Sequence, residues 1–322
     1  MRNKLWVFIG LLVIVLAVVA VQMRSGKRVA DLESHSLLSG QQLEQLAGLQ
    51  QIRLQRGEAQ VELAQQDGVW GVVSRAGFPA QRERLAALLL ALRGARVVEE
   101  KTANAQHHAR LGLDPAAPGS DTFQVQLQDA KENYGLIYGN RVGSGQLVRF
   151  AGQDQVLLIN RPLGMSVNPT DWLALQIISI PMEQVATARW TNASGEVIEL
   201  DKQAEGDYNL RLAGEPAAAG DERKINSMVL ALVNFAAQDV ALRDDLQLGE
   251  PILQMQVTTW SGAQLDASLH EQGGRYWLLV DQFSSAEGPA PAVNADQRWA
   301  YQLGIGQLEI MQQNRADLLQ AP

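Results

Sequence analysis

Beyond residue 50 the chain alternates apolar and polar positions in short runs, the period of half-buried β-strands, and twice breaks into the three-and-four spacing of a helix. Gln51-Ile52-Arg53-Leu54 and Val61-Glu62-Leu63 are the first alternating runs, and Gly68-Val69-Trp70-Gly71-Val72 reads as a turn leading into a third strand. Pro79 stands where a helix is expected to open, because a missing N–H costs nothing at the first helical position. Leu85, Leu88, Leu89 and Leu92 fall at i, i+3, i+4 and i+7 and form one apolar stripe. Gly94 ends that helix, and Ala95-Arg96-Val97-Val98 returns as a strand.

The same order recurs further on. Ala188-Arg189-Trp190 and Val197-Ile198-Glu199-Leu200 predict early strands, and Gly206 to Leu210 predicts a turn and third strand. Asp221 and Glu222 stand at a helix start, where negative charge suits the dipole. The stripe there is Ile225, Met228, Val229 and Leu232, followed by a strand over Asp239-Val240-Ala241-Leu242. Leu63 and Leu200 lie 137 positions apart, Trp70 and Tyr208 138, and Leu85 and Ile225 140. A whole series at nearly constant offset points to internal duplication.

Each series continues into antiparallel strands. Phe123–Leu127 corresponds to Leu253–Val257, both strictly alternating. Leu136–Tyr138, Gln146–Phe150 and Val156–Ile159 follow in the first series, and Ala263–Leu265 and Tyr276–Val280 in the second, separated by Gly/Asn turns. Pro169-Thr170-Asp171-Trp172 predicts a turn opening a short helix between the copies. Trp299–Leu303 reads as a last strand and Leu308–Leu319 as a closing helix.

Ahead of this body, Leu5 to Val21 is a run of 17 residues without a charge. As a helix it spans about 26 Å, close to a hydrocarbon core. The expected membrane-facing side chains are Leu5, Trp6, Val7, Phe8, Ile9, Leu11, Leu12, Val13, Ile14, Val15, Leu16, Val18, Val19 and Val21. An uncleaved anchor is the expectation; the alternative is a secretory signal cut after Val18-Val19-Ala20. Basic residues flank both ends (Arg2 and Lys4; Arg24, Lys27 and Arg28), so the charges alone leave orientation open.

The fold class expected is therefore α+β: an N-terminal transmembrane helix, then two duplicated antiparallel-sheet-plus-helix units. The division is an anchor over 1–28, a connector over 29–48, a first repeat over 49–181, a second over 182–283, and a loop with closing strand and helix over 284–322.

Charge sharpens the picture. The overall −8 divides into five basic residues before position 29 and a remainder with 22 basic against 35 acidic side chains. An acidic body repels phosphates, so nucleic acid is not an expected partner. The chain has no cysteine, which excludes disulfides, thiolate catalysis and cysteine zinc sites.

Candidate chemistry is thin. His107-His108 lacks a third ligand at useful spacing and reads as a solvated loop; His35 and His270 are isolated. Tyr138 to Gly145 is glycine-rich but has no P-loop lysine and precedes a strand, so it predicts a hairpin turn. Gly164-Met165-Ser166-Val167-Asn168 starts like a nucleophile elbow without its final glycine. Glu99-Glu100 and Asp244-Asp245 read as solvated turns, and Asn192-Ala193-Ser194 as a chance sequon. Trp70, Trp172, Trp190, Trp260, Trp277 and Trp299 are expected mostly in sheet packing. No catalytic, cofactor or metal-binding residue is assigned.

The chain resembles the family known as domain of unknown function 4340. The likeness rests on Gly68-Val69-Trp70 before Pro79-Ala80, the leucine helix, Leu111-Gly112-Leu113-Asp114-Pro115, Leu136-Ile137-Tyr138-Gly139, and Trp299-Ala300-Tyr301 followed by Asp317-Leu318-Leu319. The resemblance implies an N-terminally anchored bacterial envelope protein, with its body in the periplasm and inner-membrane lipid around its helix. Its implied partner is an ABC-type permease and ATPase related to the gliding-motility transporter. It carries no catalytic residues to transfer. The functional expectation is a non-enzymatic accessory or binding protein, with a surface near Trp172 to Pro181 where the copies join. The alternatives are an envelope hydrolase and a self-assembling structural protein.

Overall fold

The computed structural model describes residues 34–216, 219–284 and 292–319. The anchor segment Leu5–Val21 lies outside the described residues, as does most of the Ser284–Pro291 loop. No helix among the described residues is long and apolar enough to cross a membrane.

The described residues are mostly antiparallel sheet with few helices. The described part opens with β1 (His35–Ser36) and α1 (Gly40–Gln45), where Ser39 and Gln42 close a reciprocal capping box. A meander follows: β2 (Gln51–Arg56), β3 (Ala59–Gln66), β4 (Val69–Val72) and β5 (Phe78–Pro79). Asp67 and Gly68 both take positive φ between β3 and β4, the two-residue turn whose twist suits a hairpin. Next come α2 (Arg82–Gly94), β6 (Arg96–Glu100), β7 (Phe123–Gln128), β8 (Asn133–Val142), β9 (Gly145–Phe150) and β10 (Leu157–Ile159). The later part holds β11 (Ile178–Ser179), β12 (Val185–Asn192), β13 (Val197–Asp201), β14 (Arg211–Leu212), α3 (Glu222–Val233) and β15 (Asp239–Leu242). It ends with β16 (Leu253–Thr259), β17 (Gln264–Gln272), β18 (Arg275–Ser284), β19 (Ala292–Val293), β20 (Trp299–Gln302), α4 (Ile305–Met311) and α5 (Arg315–Leu318).

Two compact units emerge. One comprises the described residues up to Leu49 together with Leu88–Met165; the other comprises Gln50–Ala87 and everything described from Ser166 on, the division falling inside α2. In the first unit the strand order is β1-β6-β10-β9-β8-β7. In the second, β2-β3-β4-β5 form a meander, β11 pairs with β19, and an eight-stranded sheet runs β14-β13-β12-β16-β17-β18-β20-β15. Five-strand runs of the same order occur in both units: β7-β8-β9-β10-β6 and β16-β17-β18-β20-β15, each with the post-helical strand outermost of the five. The meanders β2-β3-β4 and β12-β13-β14 also match.

The helix stripes hold. Leu85, Leu88 and Leu92 are buried on α2, with Leu89 half-buried, and Ile225, Met228, Val229 and Leu232 are buried on α3, whose N-terminus Asp221 caps by accepting from the backbone of Arg223 and Lys224.

Several expectations are corrected. Pro79 does not open α2: it pairs with Gly71, its carbonyl accepts from Ala174, and the extended backbone runs on to a bridge between Ala80 and Leu173. The helix starts at Arg82, with the Gln81 carbonyl accepting its first bond. The third strand of the second series is Arg211–Leu212 rather than 206–210. The buried Lys202 ammonium donates to the carbonyls of Met182 and Asp207, holding the intervening turn, and leaves Tyr208 exposed. Val72 opposite Leu63 therefore matches Leu212 opposite Leu200, so Tyr208 is not the counterpart of Trp70. Pro169–Trp172 is a single 3-10 turn with extended chain beyond it, and the closing helix is broken at Asn314, which caps a second one. Glu99 and Glu100 end β6, with Glu99 paired to Lys101.

Candidate functional site

In the eight-stranded sheet, register decides which side chains share a face. Trp190 lies opposite Ile198 and Met255, Ala188 opposite Leu200 and Val257, and Leu253, Leu269, Leu278 and Tyr301 make a further row. All are buried, and this is the core face. The alternate positions form the outer face: Thr191, Gln254, Ser268 and Leu279 in one row, His270 and Trp277 in the next.

The outer face has a polar and an apolar part. Arg189, Thr191, Gln254, Gln256, Asp266 and Asp281 line a depression of about 530 Å³. Arg189 and Glu199 approach to 3.7 Å there with both side chains more than half exposed, a pair that contributes little. In the apolar part Trp277, Leu279 and Ala300 are covered by Leu246 and Leu248 from the connection between β15 and β16. That connection is a strap over the sheet. At the edge of the strap lies an open pocket of about 570 Å³ lined by Arg243, Asp244, Leu246, Leu248, Gly249, His270 and Leu279.

His270 fastens the strap. Its Nδ1 lies 2.8 Å from the Gly249 carbonyl, which can only accept, so Nδ1 carries the hydrogen. In the neutral ring Nε2 then accepts from Ser268 Oγ at 3.0 Å. Nucleophile, base and orienting group would stand in this relation in a hydrolase. Here Ser268 is buried, 5% exposed, and the arrangement pins a loop.

The first unit has a strap of its own. Leu111 and Leu113 pack on Ile137, Leu147 and Val156, and Arg149 Nε donates to the Leu113 carbonyl at 2.9 Å. Burial pushes the Arg149 guanidinium down, against the pull of Asp114 and Asp154. His108, expected in a solvated loop, is buried and bonds through Nε2 to the Asp154 carbonyl at 3.0 Å. The adjacent His107 is not part of that bond.

On the core-face side a cavity of about 340 Å³ reaches Trp190, Ile198, Ile252 and Leu253, rimmed by Asn192, Ser194, Glu196 and Gln313. The buried Trp190 Nε1 and Gln313 Oε1 have no hydrogen-bond partner. The Asn192-Ala193-Ser194 sequon is an Asx turn, with Asn192 Oδ1 accepting from the backbone of Ser194 and Glu196.

The other candidates disperse. Ser166 Oγ donates to Asp171 and the Ser166 carbonyl accepts from Trp172 Nε1, so the pseudo-elbow supports a buried indole. Gly143 and Ser144 are the two-residue turn between β8 and β9. Asp244 and Asp245 lie exposed in a 3-10 turn. The expected surface near Trp172 to Pro181 is absent there: Trp172, Leu173, Ile177, Ile178 and Ile180 are buried. Among the described residues no group of three or more His, Asp or Glu is placed to hold a metal. The Ser268–His270 pair escaped the sequence reading because a lone histidine carries no pattern; comparing β8 with β17 position by position would have marked it.

The chain belongs to the family described as domain of unknown function (DUF4340), which it matches over residues 70–251. No curated protein and no solved structure matches it.

Proposed function

We propose that this is a non-enzymatic accessory or binding protein, anchored in a bacterial inner membrane by Leu5–Val21, with its folded body in the periplasm beside an ABC-type permease and its ATPase. The carrying observation is the sequence contrast between an uncharged run of 17 residues flanked by five basic side chains and a folded body of net −13. The transporter association rests on the resemblance noted above, as an analogy. The body is read as an internal duplication, which the matching five-strand orders and meanders support. Duplication provides two sheet faces, each with its own strap, as surfaces for a partner or ligand.

The test is affinity purification of the full-length protein from detergent-solubilised membranes, with mass spectrometry of what accompanies it. A companion variant carries an unrelated membrane helix in place of Leu5–Val21. Stoichiometric recovery of a permease and ATPase is the expected result, and its persistence in the variant would assign the contact to the body. Recovery of the protein alone would remove the transporter reading.

A further inference from the structure

The sheets beneath the two straps differ where the second carries His270. Pairing of β7 with β8 sets Phe123 opposite Tyr138, and pairing of β16 with β17 sets Leu253 opposite Leu269. With Phe123 matched to Leu253, Ile137 matches Ser268 and Gly139 matches His270. At Gly139 the strap lies directly on the sheet: a Cβ there would collide with the Leu111 carbonyl and the Leu113 side chain. In the second unit an imidazole occupies that place and stands under the Gly249 carbonyl. Leu113 is accordingly sealed beside a half-buried Leu111, whereas Leu246 and Leu248 are both half-buried and the pocket of about 570 Å³ opens beside them.

The open pocket presents the half-buried Leu246 and Leu248, with Leu279 buried beneath them, and two exposed opposite charges, Arg243 and Asp244. Neither charged side chain has a hydrogen-bond or ion-pair partner among the described residues. An unpaired cation and an unpaired anion beside leucine side chains match a ligand that presents a carboxylate, an ammonium and an apolar body together. We propose that the open pocket at the edge of the second strap binds a small zwitterion with an apolar side chain, a hydrophobic amino acid or short apolar peptide. This deepens the binding-protein reading without using the transporter association, so either can fail alone.

The experiment follows hydrogen exchange of residues 243–251 in the full-length protein in detergent, with L-leucine, the dipeptide Leu-Leu, or uncharged N-acetyl-leucinamide added up to millimolar concentration. One or both zwitterions should slow exchange of the strap, and the one half-saturating at lower concentration identifies the source. N-acetyl-leucinamide should do nothing. Arg243→Gln and Asp244→Asn, both at exposed side chains, should each raise the half-saturating concentration by about tenfold or more. His270→Gly should let the strap descend and abolish the response. No protection by either zwitterion, equal protection by the uncharged analogue, or a response unchanged in both charge variants would overturn the proposal.

Discussion

Arg75 and Asp239, 164 positions apart, meet in a two-point ion pair, Nε to Oδ1 at 2.7 Å and Nη2 to Oδ2 at 2.8 Å. The pair ties the turn between β4 and β5 to the first residue of β15. Beside it the Phe78 ring meets Trp299 edge-on with centroids 5.0 Å apart. A hairpin from early in the chain is thereby fixed to the second sheet, and the hydrogen bond to Asp239 holds the Arg75 guanidinium above its ordinary value.

Both side chains are about a quarter exposed, 28% and 24%, so the pair is partly screened. Arg75→Ala should cost about 1–2 kcal/mol, mostly by stranding Asp239, and the double variant with Asp239→Asn should recover part of it. Denaturant unfolding of the four members of the cycle measures the coupling.

Gly71 lies against the backbone of Gly77, where a Cβ would collide with the Gly77 carbonyl. Backbone cannot give way as a side-chain tip can. Gly71→Ala should destabilise the protein by about 1–3 kcal/mol, seen as a lowered denaturant midpoint with unchanged slope.

Gly139→Ala should lift the first strap from its sheet. Faster hydrogen exchange over residues 105–113, with the second strap unaffected, is the expected signature; no change in either would mean that Gly139 does not seat the strap.

The alkaline limit of stability should involve Tyr301. Burial pushes its phenol up to about 12, partly opposed by the backbone bond from Asp296. A raised value means the proton is held more tightly in the fold. The associated stability is whole below the unfolded value of about 10 and is lost as pH rises through about 12. Tyr134, pushed up to about 12 by burial, and Tyr138, pushed up further by the same cause, act in the same direction. Tyr301→Phe should flatten the fall of melting temperature over this window and cost about 1 kcal/mol at neutral pH.

Asp221 accepts from two backbone N–H groups at the start of α3. Asp221→Ala should cost about 1 kcal/mol, and Asp221→Ser much less, by thermal melting.

Short-range pattern was enough for the alternating runs that became β2, β3, β7, β12, β13 and β16, for the buried stripe from Ile225 to Leu232, and for a helix start at Asp221 and Glu222. Side-chain period and capping are decided within a few residues, so the chain states them locally. Pro79 reads as a helix start only until Gly71 and Leu173 are brought beside it. The extra residues before β14 are invisible until Lys202 finds the carbonyls of Met182 and Asp207. His108 and His270 have no neighbours in sequence to reveal their burial, and the straps exist only because a connection lies across the outer face of a sheet. Strand partners, register and what lies over a face depend on contacts between distant residues, and only the tertiary structure decides them. The leading segment Leu5–Val21 is the opposite case: its uncharged length alone marks it as an expected membrane helix.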